Sequence, residues 1–151
     1  MPMPWTYRHG DTEWRRFLDD VRDVMGATSD NVAYTTAEGA FRAFRTRLTV
    51  EEVARFAQIL PAMPRALFFE GWRPAPPVPW ADTASYVTEI KSLRADHNFA
   101  NDLALTAVSV AVHRAVGPER LARALDAIGP EARAFWEVEG WSAAELAAHG
   151  F

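Results

Sequence analysis

Apolar residues along this chain return at intervals of three and four, the spacing of one helix face, and nowhere sustain the alternation of a strand. Trp14, Phe17, Leu18, Val21, Val24 and Met25 predict an amphipathic helix from about residue 11 to 25, with Asp11 as N-cap and Gly26 as the stop. Thr35-Thr36-Ala37-Glu38 reads as a capping box opening a second helix with Ala37, Ala40, Phe41, Phe44 and Leu48 inward. Thr49-Val50-Glu51-Glu52 is another such box, starting a third helix that turns Val53, Phe56, Ala57 and Leu60 to the core. Pro61 and Pro64 then open a short helix through Ala66, Leu67 and Phe69.

Residues 71–80, Gly-Trp-Arg-Pro-Ala-Pro-Pro-Val-Pro-Trp, cannot be helical and predict an extended, polyproline-like connector. Beyond it Tyr86, Val87, Ile90 and Leu93 mark one helix, and Leu105, Val108 and Val112 the inward face of another over about 99–115. Gly117-Pro118-Glu119 and Gly129-Pro130 start two more, and Ser142-Ala143-Ala144-Glu145 is expected to cap a terminal helix.

The second set of elements repeats the first. At a shift of 68, Glu51-Glu52-Val53-Ala54-Arg55 falls on Glu119-Arg120-Leu121-Ala122-Arg123, and Arg65-Ala66-Leu67-Phe68 on Arg133-Ala134-Phe135-Trp136. At 69, Phe17, Leu18, Val21 and Val24 meet Tyr86, Val87, Ile90 and Leu93, and Glu70-Gly71-Trp72 meets Glu139-Gly140-Trp141. The pattern therefore predicts an all-α protein of about eight helices: two pseudo-repeated four-helix units, about residues 8–72 and 77–141, joined by the connector 73–80 and packed as one compact domain spanning 1–151.

Composition narrows the chemistry. The absence of cysteine excludes disulfides, thiol catalysis and any Cys-based metal site. The net charge of −4 argues against a nucleic-acid partner. Residues 1–75 balance ten arginines against ten carboxylates, so the later half carries the whole excess, and Lys91 is the single lysine. Met1-Pro2-Met3-Pro4-Trp5 has no basic n-region or apolar h-region, and the longest apolar stretch, Leu103–Val112, is too short to span a bilayer. A soluble, cytoplasmic protein without a membrane partner is the expectation.

Four sequence elements carry a family resemblance: Phe41-Arg42-Ala43-Phe44-Arg45-Thr46-Arg47-Leu48, Glu52-Val53-Ala54, Gln58-Ile59-Leu60-Pro61 and Gly71-Trp72-Arg73-Pro74. In these, residues 40–74 resemble a bacterial family designated domain of unknown function 2267. The departures are one extra residue between Gln58 and Leu60-Pro61, and a second half that reads Ala127-Ile128-Gly129-Pro130 without the Gln. The resemblance implies an all-helical bacterial protein and brings no activity, cofactor or catalytic residue.

The candidate chemistry is sparse. His9, His97, His113 and His149 form no metal-ligand spacing, so no metal and no cofactor are expected. His113 stands where the first half has Arg45, which suggests an exposed position. Asp96 beside His97 could do acid–base work, but no nucleophile or oxyanion motif accompanies it. Glu51/Arg55 and Glu119/Arg123 have the spacing of helix-surface ion pairs. Arg42, Arg45 and Arg47 make a basic patch that reads as a solvated helix face; nucleic-acid binding there is a third-ranked reading. Gly71 and Gly140 are expected at positive φ, each folding its following Trp back onto its own unit.

The reading adopted is a non-enzymatic helical protein that associates with itself or with a protein partner. Its contacts are expected at Trp72, Arg73, Trp80 and Trp141. The alternative is a small-molecule-binding protein or enzyme using the groove between the two units, with Glu70, Asp96 and His97 beside Arg73 as its polar groups. A pocket joining those side chains favours the alternative; a flat apolar patch favours association.

Overall fold

The computed structural model describes residues 2–93 and 101–149. They form helices α1 (Trp5–Arg8), α2 (Gly10–Met25), α3 (Asp30–Arg45), α4 (Val50–Ala57), α5 (Ala62–Phe69), α6 (Thr83–Ser92), α7 (Ala104–Val116), α8 (Pro118–Asp126) and α9 (Pro130–Trp136), with no strand among the described residues. None of these helices is long and apolar enough to cross a membrane.

Most boundaries follow from local chemistry. Gly26 ends α2 at φ 72°, a left-handed conformation that costs glycine little. At α4 both halves of the capping box form: Thr49 Oγ1 accepts from the Glu52 amide and Glu52 Oε1 accepts from the Thr49 amide. Asp82 caps α6 by accepting from the Ser85 amide at 2.9 Å, and α8 and α9 begin on prolines.

Four expectations are corrected. Asp11 lies inside α2, which starts at Gly10 after the single turn of α1, and His9 precedes it without a side-chain cap. The second helix begins at Asp30, capped by Ser29, whose hydroxyl accepts from the Asn31 amide. Thr35 and Thr36 are internal, and their hydroxyls donate back to the carbonyls of Asn31 and Val32, the usual outlet for a mid-helix threonine. On α5 the buried pair is Leu67 and Phe68, while Ala66 and Phe69 face outward. Ser142 and Glu145 exchange both capping bonds, yet residues 143–147 form turns rather than a helix. That segment buries no side chain, and a cap without an apolar face does not sustain a helix.

Helix α3 is the centre of the packing, touching α2, α5, α6 and α7, while α2 lies along α7. One cluster of buried side chains draws on every helix from α2 to α9. Its middle is aromatic: Phe44 lies 4.8 Å from Phe56, 5.0 Å from Phe135 and 5.2 Å from Trp136, ring centroid to centroid. Such pairs add about 0.5–1.5 kcal/mol each beyond the area they bury. Gly39 lets α6 approach α3 directly, since a Cβ there would stand 3.0 Å from Ile90 Cα.

The basic patch is largely internal. Arg45 and Arg47 are each 6% exposed, which corrects the solvated-face reading and removes the surface on which the nucleic-acid reading rested. Arg45 Nη1 donates to the carbonyls of Phe68 at 2.6 Å and Glu70 at 2.9 Å, holding the end of α5. Burial lowers its pKa from the ordinary arginine value, but a guanidinium remains charged in any protein interior. Arg47 donates to the Ala43 and Pro79 carbonyls and, through Nη1 and Nη2, to both carboxylate oxygens of Glu89 at 2.9 and 2.8 Å. Its guanidinium also lies 4.7 Å from the Tyr86 ring centroid. Arg42 alone of the three is half-exposed. The Pro-rich segment is extended as expected, and it is pinned: the Val78 amide donates to Thr46 O, and Trp80 packs on Phe44.

His113 is half-buried rather than exposed, with Nδ1 2.7 Å from the Ser109 carbonyl. Burial first, and the nearby Arg133 charge second, lower its pKa against the opposing effect of that carbonyl.

Two outcomes are expected. Glu89→Ala leaves Arg47 buried without its counter-ion. Because Glu89 itself is 44% exposed, the loss should lie near 2 kcal/mol, between the ~0–1 kcal/mol of surface pairs and the ~3–5 kcal/mol of fully buried ones. Urea unfolding measures it, and a loss within error of zero would refute the clamp. Because the folded-state pKa of His113 is depressed, the unfolded chain binds more protons as pH falls below about 6.5. Stability should therefore fall with pH from there until the folded-state pKa is passed. Relative to His113→Gln, the wild type should lose stability across that window, and parallel pH curves for the two proteins would contradict the assignment.

Candidate functional site

A cleft of about 400 Å³ opens between α2, the joint of α4 and α5, and the corner of α7 and α8. Helix α2 presents Glu13, Arg16, Phe17 and Asp20 to it, residues three and four apart that share one helix face. Gln58-Ile59-Leu60-Pro61, which joins α4 to α5, forms another wall, so an element that carried the family resemblance lies at the cleft itself. Arg65 holds that joint in shape, its Nε donating to Ala57 O and its Nη2 to Leu60 O, both at 2.9 Å, so that a cation caps the end of α4. Thr6 fastens α1 across the edge: its hydroxyl donates to Glu13 Oε1 at 2.6 Å and accepts from the Ala62 amide at 2.8 Å.

The polar corner is built around Asp20, which is 8% exposed. Arg114 Nη1 donates to Asp20 Oδ1 at 2.8 Å, and His149 Nε2–H donates to Oδ2 at 2.8 Å. Arg114 also holds the chain that follows α9. Its Nε donates to Glu145 O at 2.8 Å, its carbonyl accepts the His149 amide, and its guanidinium lies 5.6 Å from the Trp141 ring centroid. Segment 141–149 is thereby folded over one end of the cleft, where Ala148 and His149 join the lining.

Four guanidiniums, from Arg16, Arg65, Arg114 and Arg120, thus share the cleft with the carboxylates of Glu13 and Asp20. The apolar part includes Trp5, Phe17, Ile59, Leu60, Pro61 and Val116. The lining has no Ser, Cys or Lys, and its one hydroxyl, Thr6, is committed at both ends. Among the described residues no three His, Asp or Glu gather as a metal would require. An arrangement of this kind can hold an anion beside an apolar body, and the groups it offers for chemistry are the Glu13 and Asp20 carboxylates and the His149 imidazole rather than a free hydroxyl or thiol.

The sequence-derived site residues lie elsewhere. Gly71 and Gly140 have the expected positive φ, 68° and 80°. Trp72 turns back as expected, its amide donating to Phe69 O and its ring 5.8 Å from that of Phe69. Trp72 and Arg73 line a notch of about 90 Å³ with Val50, Pro76 and Val78. Trp80 is half-buried against the core, and Trp141 stacks on Arg114. Glu70 is exposed at the end of α5, and neither it nor Arg73 lines the cleft. Asp96 and His97 lie outside the described residues. Sequence reading missed Asp20 and Arg114. The available signal was a carboxylate set among the apolar positions of α2, between Phe17 and Val21.

A family model described as "Uncharacterized conserved protein (DUF2267)" matches residues 14–135. That range takes in all but the first turn of α2, the whole of α3 to α8 and nearly all of α9. No curated protein matches the chain.

Because segment 137–149 buries no side chain, Arg114 is its principal tether. Arg114→Ala should raise the rate of cleavage after Glu145 by a glutamate-specific protease about tenfold, the effect of ~1.4 kcal/mol on a local opening equilibrium. An unchanged cleavage rate would show that the segment is held by something else.

Proposed function

We propose that the chain, which belongs to the DUF2267 family, is a non-enzymatic small-molecule-binding protein whose cleft takes an organic anion with an apolar body. The observation that carries this reading is the convergence of four arginines on a cleft with two carboxylates. Its volume falls within the ~300–1,000 Å³ common for ligand sites. Guanidiniums recognise carboxylates and phosphates through paired N–H donors, and the side chains of Ile59, Leu60 and Val116 offer an apolar surface alongside. As part of the same proposal, the chain is one domain assembled from a duplicated helical unit, working in the cytoplasm.

A second reading, association with a protein partner or a second copy, rests on a different observation. Val50, Met63, Phe69 and Val78 are exposed, and two of them border the notch of Trp72. A strict monomer in light scattering over a hundredfold concentration range, unchanged by Trp72→Ala, would count against self-association there.

Titration calorimetry with octanoate and with phenyl phosphate tests the main reading. Arg120 is exposed and makes one long contact, 3.5 Å to Gln58 O, so Arg120→Ala should fold normally. Saturable binding is expected, weakened about tenfold in that variant and again when salt is raised from about 50 to about 500 mM. No saturable heat with either anion, or equal affinity in the variant, would sink the proposal.

A further inference from the structure

The two carboxylates of the cleft are in different conditions. Asp20 is fully engaged, Oδ1 accepting from Arg114 and Oδ2 from His149. Glu13, half-buried on the same face of α2, is not. Its Oε1 accepts from the Thr6 hydroxyl, while Oε2 accepts nothing and no cation forms an ion pair with it among the described residues. Four guanidiniums share the cleft, and none of them is spent on Glu13.

The arginines differ in the same way. Arg65 commits Nε and Nη2 to the joint of α4 and α5, and Arg114 commits Nε and Nη1 to Glu145 and Asp20. Arg120 makes one contact, 3.5 Å to Gln58 O, and keeps its other donors. Glu13 is tied through Thr6 to the Ala62 amide, so an unpaired carboxylate and an open guanidinium flank the apolar run Ile59-Leu60-Pro61.

An unpaired carboxylate in a cleft that takes an anion discriminates between ligands. It repels a simple acid or a phosphate ester held by the arginines, and it favours a molecule that brings its own cation. We propose that the ligand of the cleft is an α-amino acid with a large apolar side chain. Its carboxylate accepts from Arg120, its ammonium donates to Glu13 Oε2, and its side chain lies on Trp5, Ile59 and Val116. A hydroxy acid could donate to the same oxygen, but it brings no charge to balance that of Glu13. The proposal rests on the cleft being the anion site described above, and adds the group that tells a zwitterion from a simple acid.

Titration calorimetry on the full chain compares phenylalanine with 3-phenyllactate, 3-phenylpropionate and phenethylamine. These keep the ring but exchange the ammonium for a hydroxyl, remove it, or remove the carboxylate. Phenylalanine is expected to bind about tenfold more tightly than 3-phenylpropionate, and more tightly than the other two. Glu13→Gln keeps an acceptor for Thr6 and removes the charge, so it should erase that preference without weakening 3-phenylpropionate. The ligand comparison on the wild type decides the matter even if the variant does not fold. Any of the three analogues matching phenylalanine, or a preference that survives Glu13→Gln, would overturn the assignment. Saturable binding of octanoate without binding of phenylalanine would overturn it too and leave the anion reading standing. Binding of none of the carboxylates would remove both.

Discussion

Two guanidiniums buried at the end of the central helix govern how the rest of the chain is arranged. A charge in the interior demands hydrogen-bond acceptors around it, since water no longer supplies them. Arg45 obtains them from the last carbonyls of α5, and Arg47 from Ala43, Pro79 and Glu89. The requirements of two adjacent side chains therefore place three separate segments: the end of α5, the proline-rich connector and α6. The connector needs this help. Prolines lack amide donors, and such a run makes no helix or sheet ladder of its own. Its Val78 amide and Pro79 carbonyl are tied to Thr46 and Arg47, so it runs along the end of α3.

Arg114 solves a similar problem at the opposite end of the chain by different means. Its guanidinium is partly solvated, and it joins a carboxylate on α2 to a backbone carbonyl and an aromatic ring of the tail. Where Arg45 and Arg47 fix elements that also bury apolar surface, Arg114 secures a segment that buries none. The cleft thus has rigid walls on the α2, α4 and α5 sides and one wall whose position depends on polar contacts. Local stability in a protein follows buried contact in this way.

How much was legible in the sequence depended on how far the determining partners lie apart. The boxes and stops that act within four residues were readable: Thr49 with Glu52, Gly26, and the prolines that open α8 and α9. So were the positive φ angles of Gly71 and Gly140. The start of α3 was not, because Asp30 to Thr35 is mostly polar and its cap, Ser29, has no periodic apolar residue directly behind it. Burial of Arg45 and Arg47 was hidden for a different reason. Their acceptors come from up to 42 positions away, and a charged residue read locally defaults to the surface. The polar corner of the cleft unites Asp20 with residues 94 and 129 positions distant. No spacing rule reaches that far.

The bare contact at Gly39 has a mechanical meaning. Side chains between two helices act as a compliant layer, able to change rotamer and absorb a disturbance within a few ångströms. At Gly39 that layer is missing, and α3 meets the Ile90 backbone directly. A displacement there has nowhere to dissipate and passes to α6 as a rigid rod. Glu89 sits next to Ile90 on the same rod. Any shift of α6 would therefore draw the carboxylate from Arg47 and slacken the connector that Arg47 holds, transmitting a methyl-sized change in the centre of the protein to its proline-rich surface.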